Sequence, residues 1–197
     1  IKGWFRRINA YGEKRGILVE HYIISSGLRE IIEGTAIAKD FTHIYASSFY
    51  YNEHGEPCWP AQVINYTNKT QFLFRIEKGI LDINDNAVND HFAEGELRVP
   101  FRNIVYIGDS ATDIPCMRLV NSLGGHSVGV YDLENTDSKD TVRRMIRDER
   151  IRYYVPADYT KGSEMDTLMH QIIDKTAAYE VLEEKHLRDR KEAVAKY

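Results

Sequence analysis

The sequence predicts an α/β fold, a parallel sheet with helices on both faces, and three observations predict it. Apolar runs of strand length are separated by segments of about ten residues whose apolar positions recur at helical spacing. Two of those runs, "ILVEHYII" and "NIVYIG", read as largely buried strands. The chain has 197 residues, 43% hydrophobic and 28% charged, which suits one sizeable soluble domain.

Taken in order, "WFRRINAYGEKRG" reads as the last turns of an amphipathic helix, which Gly16 breaks. "ILVEHYII" follows as a strand running from Ile17 into Ser25-Ser26-Gly27, a tight turn that opens the helix "GLREIIEGT". Two aromatic-rich arms then flank Asn52-Glu53-His54-Gly55, the pattern of a β-hairpin over about 43–66. Helical spacing returns from Thr70 in "TQFLFRIEKGIL". "NIVYIG" is a strand and "IPCMRLVNSL" the helix after it. "GGHSVGVYD" gives a third strand, and "TDSKDTVRRMIRDERI" a polar helix with Thr136 and Asp137 as its capping residues. "RYYVPADYT" supplies a fourth short strand or extended segment, and from Gly162 the chain is one long charged helix or two.

Charge narrows the function classes. Lys and Arg number 26 against 30 Asp and Glu, for a net charge of −4, so the basic stripe that nucleic-acid binding needs is missing and no nucleic-acid partner is expected. No apolar run approaches the ~20 residues that span a bilayer, and no signal-peptide pattern opens the chain, so no membrane partner and a cytoplasmic location are expected. Cys58 and Cys116 have no metal-ligand spacing and are read as reduced. The seven histidines are scattered without ligand spacing and receive no catalytic role. The adjacent sequons at Asn65 and Asn68 carry no meaning in a cytosolic chain.

In parallel sheets with helical crossovers the reacting groups gather at the carboxyl ends of the strands. That rule brings "IISSG" and "VYIGDSATD" together in space. Asp109 and Asp113 stand in a Gly-Asp-x-x-x-Asp loop directly after a strand, the place and charge a hard cation such as Mg²⁺ needs. The alternative is structural: Asp109 caps a turn, and Asp113 caps the helix that starts at Ile114-Pro115. Ser25, Ser26 and Gly27 end a strand before a helix, so a hydroxyl and backbone N–H groups can meet an anion there, or simply make a turn. Lys69 precedes a helix, where the helix dipole disfavours a cation; a phosphate would explain it, and a solvated lysine at a loop end is the alternative. Lys78 and Lys161 are the competing lysines, with Lys78 near a helix end where a cation needs no special reason.

In the order Ser25, Lys69, Asp109, Asp113, the chain resembles the haloacid dehalogenase-like superfamily, in particular its phosphoserine-phosphatase-like branch. "YIISSGLREII" resembles that family's second motif, "NKTQFLFRI" its third and "VYIGDSATDIPCM" its fourth, and the hairpin between the second and third also matches. The resemblance implies a Rossmann-like core and phosphoryl transfer: an aspartate attacks the phosphate of a small phosphorylated substrate, and water hydrolyses the aspartyl-phosphate. Carried over, Ser25 with Ser26 and Gly27 would hold the phosphoryl oxygens, and Lys69 would neutralise them. Asp109 would hold Mg²⁺, and Asp113 would serve the metal site and brace it. The implied division is 1–16 as the end of a cap or linker helix, 17–175 as the core and 176–197 as a helical extension.

One departure is large. The family's first motif, Asp-x-Asp at the end of the first and central strand, occurs nowhere in the 197 residues. Either the chain is a piece of a longer phosphatase or it is a natural relative that has given up the chemistry and binds a phosphorylated ligand. Each buried apolar side chain of a lost strand removes roughly 1.5–3 kcal/mol, so losing several approaches the ~5–15 kcal/mol that holds a domain together. The expectation is therefore a piece that lacks its central strand and is inactive by itself.

Overall fold

Trp4, Phe5, Ile8 and Gly12 share one buried face of the first helix, α1 (Trp4–Glu13), as its amphipathic pattern requires. The computed structural model describes residue 1 and residues 3–194. The chain forms two compact units, residues 1–20 with the chain from Asp158 onward, and residues 21–157. The divisions fall near residues 20 and 157, where the sequence placed them at 16 and 175, because α1 packs on the C-terminal helix α6 (Glu164–Val194). Trp4 meets Tyr159 edge to face, and Arg7 donates to the Tyr159 carbonyl at 2.7 Å. Tyr11 stacks on His170 and donates to Asp174 at 2.9 Å. α6 is a single helix of 31 residues whose buried side chains all lie between Met165 and Ile173. Among the described residues no helix is long and apolar enough to cross a membrane.

The second unit carries all the described strands. β1 (Tyr22–Leu28), β2 (His43–Tyr51) and β3 (Pro57–Gln62) form one sheet, β1 parallel to β2 and β3 antiparallel to it. β4 (Val105–Gly108), β5 (His126–Tyr131) and β6 (Tyr153–Pro156) form a second, wholly parallel sheet. Between the strands lie α2 (Arg29–Glu33), α3 (Thr70–Lys78), α4 (Ile114–Ser122) and α5 (Thr136–Arg147). The fold is thus α/β with a helix-flanked parallel sheet, and its strands fall into two separate sheets. β1 pairs with β2 and β4 with β5, and the two do not pair with each other.

Three local expectations are corrected. The first strand begins at Tyr22 rather than Ile17, since Leu18 points into solvent, and on the open edge it is only half-buried. Ser25-Ser26-Gly27 is not a turn after the strand but a bulge inside it. Register runs from Ile24 opposite Tyr45 to Leu28 opposite Ser47, so three residues of β1 face Ala46 alone. The cap of α5 is Asn135, whose side chain accepts from Ser138 N–H at 3.2 Å, and Thr136 and Asp137 are its first helical residues.

The hairpin forms where the sequence placed it. Asn52 Oδ1 accepts from the N–H groups of His54 and Glu56 at 3.0 and 2.9 Å and so winds the turn. Behind the strands, Leu73, Tyr106, Cys116, Met117, Val120 and Val142 build one core cluster, and Tyr45, Ile64, Phe72 and Ile76 a second. Ile24 of β1 packs against both.

α5 ends on Glu149, a non-glycine residue at φ 54°, with Arg150 N–H closing onto the Met145 carbonyl at 2.8 Å. A left-handed side chain costs roughly 1–2 kcal/mol. Glu149→Gly is therefore expected to raise stability by about 0.5–1 kcal/mol after the entropy glycine adds to the unfolded chain. A higher urea midpoint at unchanged slope is the check.

Candidate functional site

Lys69 is the residue from which the site is built. It occupies the N-cap position of α3, where its ammonium adds to the positive end of the helix dipole, and it is only 5% exposed. Such a charge needs a partner. Lys69 Nζ donates to Asp113 Oδ1 at 2.8 Å, and Asp113 is itself only 6% exposed. The loop that delivers Lys69 is wound by two asparagines. Asn65 Oδ1 accepts from Thr67 N–H at 2.9 Å, Asn68 Oδ1 accepts from Asn65 N–H at 2.8 Å, and Asn68 Nδ2 donates to the Val63 carbonyl.

Asp113 precedes α4, with Pro115 in the first turn, but its side chain makes no capping bond to the helix. The carboxylate turns back instead. Tyr106 OH donates to Oδ1 at 2.9 Å and Ser110 Oγ to Oδ2 at 3.1 Å. Gly108 makes room for this. A Cβ at residue 108 would lie 2.8 Å from Asp113 Cβ, Cγ and Oδ2, so the close return of the loop requires glycine there. Burial pushes the Tyr106 hydroxyl far above the usual tyrosine range, with Cys116 and Asp113 acting the same way, so it stays a donor.

Cys116 lies beneath Tyr106, fully buried, and burial raises its thiol to about 11. Cys58 on the hairpin is exposed. At about pH 8 a thiol reagent should titrate one cysteine in the folded chain and two after denaturation. Two fast-reacting thiols in the native protein would contradict this packing.

The other expected residues lie as follows. Ser25 Oγ accepts from Gly27 N–H at 3.0 Å, and Ser47 Oγ donates to the Ser26 carbonyl at 3.1 Å. Ser26 and Gly27 are exposed, and Ser25 is half-buried. α2 behind them has only five residues, so no anion site rests on its N-terminus. Ile24, the neighbour of Ser25, packs on the clusters that hold Tyr106 and Phe72, which sets the Ser25 bulge and the Lys69–Asp113 pair on one core. Lys78 is engaged elsewhere, donating to the carbonyls of Val88 and Asp90 at 2.8 and 2.7 Å. Lys161 is an exposed residue of the first unit.

Asp113 gives its oxygens to Lys69, Tyr106 and Ser110, which leaves the exposed Asp109 as a single carboxylate. Among the described residues no group of three or more His, Cys, Asp or Glu is placed to hold a metal ion. An octahedral Mg²⁺ usually takes one or two carboxylates with substrate and water oxygens, so the residues present do not make that site by themselves. What the arrangement does offer is a buried lysine–carboxylate ion pair on the same core as the serine-bearing bulge.

Tyr106 and Ser110 escaped the sequence reading. Tyr106 looks like one more apolar residue of a strand, and its only signal is a hydroxyl two residues before the Gly-Asp step.

Comparison with known proteins gives the family. A family model described as haloacid dehalogenase-like hydrolase matches residues 2–118, more than half of the chain. An uncharacterized protein of Borreliella burgdorferi is 24% identical over 172 residues, covering 80% of this chain. The chain spans 59% of the length of that relative.

Proposed function

Because the chain belongs to the haloacid dehalogenase-like hydrolases, we propose that it is part of a Mg²⁺-dependent phosphatase of the phosphoserine-phosphatase-like branch. In this reading the nucleophilic aspartate lies upstream of Ile1 in a longer protein. The buried Lys69–Asp113 pair carries the reading. A lysine at a helix N-terminus, held by a carboxylate with two further donors, is a fixed positive charge of the kind phosphoryl transfer uses to stabilise developing negative charge.

Lys69 neutralises the phosphoryl oxygens, Ser25 with Ser26 and Gly27 binds them, and Asp113 with Tyr106 and Ser110 fixes the position of Lys69. Asp109 serves as one ligand of Mg²⁺, a Lewis acid toward the phosphate when bound, and its fellow carboxylates belong to the upstream segment. The missing Asp-x-Asp supports this division, as does the break between β1 and β4, which leaves two parallel strand edges unpaired. The greater length of the relative is in keeping with it. The substrate is a small phosphorylated molecule in the cytoplasm, with no nucleic-acid or membrane partner. By itself the 197-residue chain is inactive.

The test is hydrolysis of a generic aryl phosphate with Mg²⁺ by the upstream-extended protein, and its loss in Asp109→Asn. Activity untouched by that substitution would sink the site assignment. The absence of Asp-x-Asp also favours a second reading, a module that binds a phosphorylated ligand without turning it over.

A further inference from the structure

The hairpin outruns the strand beside it. β1 ends with Leu28 opposite Ser47, whereas its parallel neighbour β2 continues to Tyr51. At about 3.3 Å per residue, Tyr50 stands roughly 10 Å beyond that last pairing, past the strand end that carries the Ser25 bulge. The hairpin is tied down at its base: Ser47 Oγ donates to the Ser26 carbonyl, and Ile64 N–H donates to Ser47 Oγ at 3.0 Å. Its return strand then leads within seven residues to Lys69.

On this arm Tyr50 and Trp59 are directly opposite each other, so both rings stand on one face of the hairpin. They are 62% and 72% exposed. The neighbouring Tyr51 is engaged with Glu30, whose carboxyl also accepts from Phe49 N–H. Proline at 57 and 60 stiffens the strand that bears Trp59, which lowers the entropy cost of using it as a contact surface.

We propose that Tyr50 and Trp59 form a stacking platform for the alcohol part of the substrate, selecting phosphate monoesters that carry a flat unsaturated ring, whether a nucleobase or an aryl group. The inference rests on the phosphatase reading and names its substrate class. Stacking on an aromatic side chain contributes about 1–3 kcal/mol per base, a factor of roughly five to over a hundred in affinity.

The test uses the 197-residue chain in calorimetric titrations with inorganic phosphate, phenyl phosphate, adenosine 5′-monophosphate and adenosine. Trp59 fluorescence is read in parallel, since the one other tryptophan, Trp4, is buried. The expected result is at least about ten-fold tighter binding of the ring-bearing phosphates than of inorganic phosphate, with quenching of Trp59. Trp59→Ala and Tyr50→Ala should each erode that advantage while leaving inorganic phosphate binding unchanged. A difference between the two ring-bearing esters tells base from aryl selection. Phosphate binding with no ring preference overturns the inference and leaves the phosphatase reading standing. Adenosine binding as tightly as its monophosphate, or self-association lost in Trp59→Ala without any ring effect, also overturns it. Absence of all binding by the folded chain overturns the inference, while the phosphatase reading is decided by the turnover of the upstream-extended protein.

Discussion

Asp113→Ala is expected to lower the free energy of unfolding by about 3–5 kcal/mol, because it strands a buried ammonium. Lys69 is at the end of a helix whose dipole already opposes it, and Asp113 is its neutralising contact at 2.8 Å. The same substitution takes the carboxylate acceptor from the buried Tyr106 OH, which adds to the cost, whereas Ser110 Oγ keeps Thr112 Oγ1 at 2.7 Å. The pair itself is worth much less than its breakage. Removing both charges, as in Lys69→Met with Asp113→Leu, should recover most of the loss, since a buried pair can often be replaced by apolar side chains at little cost. Urea unfolding of the two variants decides it. A loss below about 1 kcal/mol in Asp113→Ala would mean that water reaches Lys69 and that the pair is not buried.

Lys69→Met carries the second large effect, and this one falls on the chemistry. In the upstream-extended protein it is expected to lower kcat by about a hundred- to thousand-fold, the range seen when one preorganised group is withdrawn from a developing negative charge. Its KM for a generic aryl phosphate should change far less, because the interaction matters most in the transition state. Stability is measured beside activity, so that the folded fraction corrects the rate. A folded Lys69→Met enzyme with near-parental kcat would remove lysine from the mechanism.

The elements were legible where pattern alone decides them. The helical spacing of "TQFLFRI" and the aromatic arms around Asn52 became α3 and the β2–β3 hairpin. Lys69 stood out because a cation at a helix N-terminus contradicts the local electrostatics; the sequence pointed to a phosphate or to solvent, and the partner found is Asp113. That partner was harder to read. Asp113 followed by Ile114-Pro115 satisfies every local rule for a helix cap, yet three donors reaching it from Lys69, Tyr106 and Ser110 outcompete the helix N–H groups. Tyr106 and the asparagines of the 63–69 loop were missed because their roles depend on how the loops fold back on themselves, which apolar periodicity does not encode. The bulge at Ser25–Gly27 was read as a turn because a register shift leaves no mark on apolar periodicity.

The measurement that bears most directly on the whole account is phosphate release from an aryl phosphate with Mg²⁺. It compares the 197-residue chain with the protein extended upstream through an Asp-x-Asp segment, at equal folded concentration. The account predicts turnover by the extended protein and none by the chain alone. Equal turnover by both, or none by a folded extended protein, would contradict it.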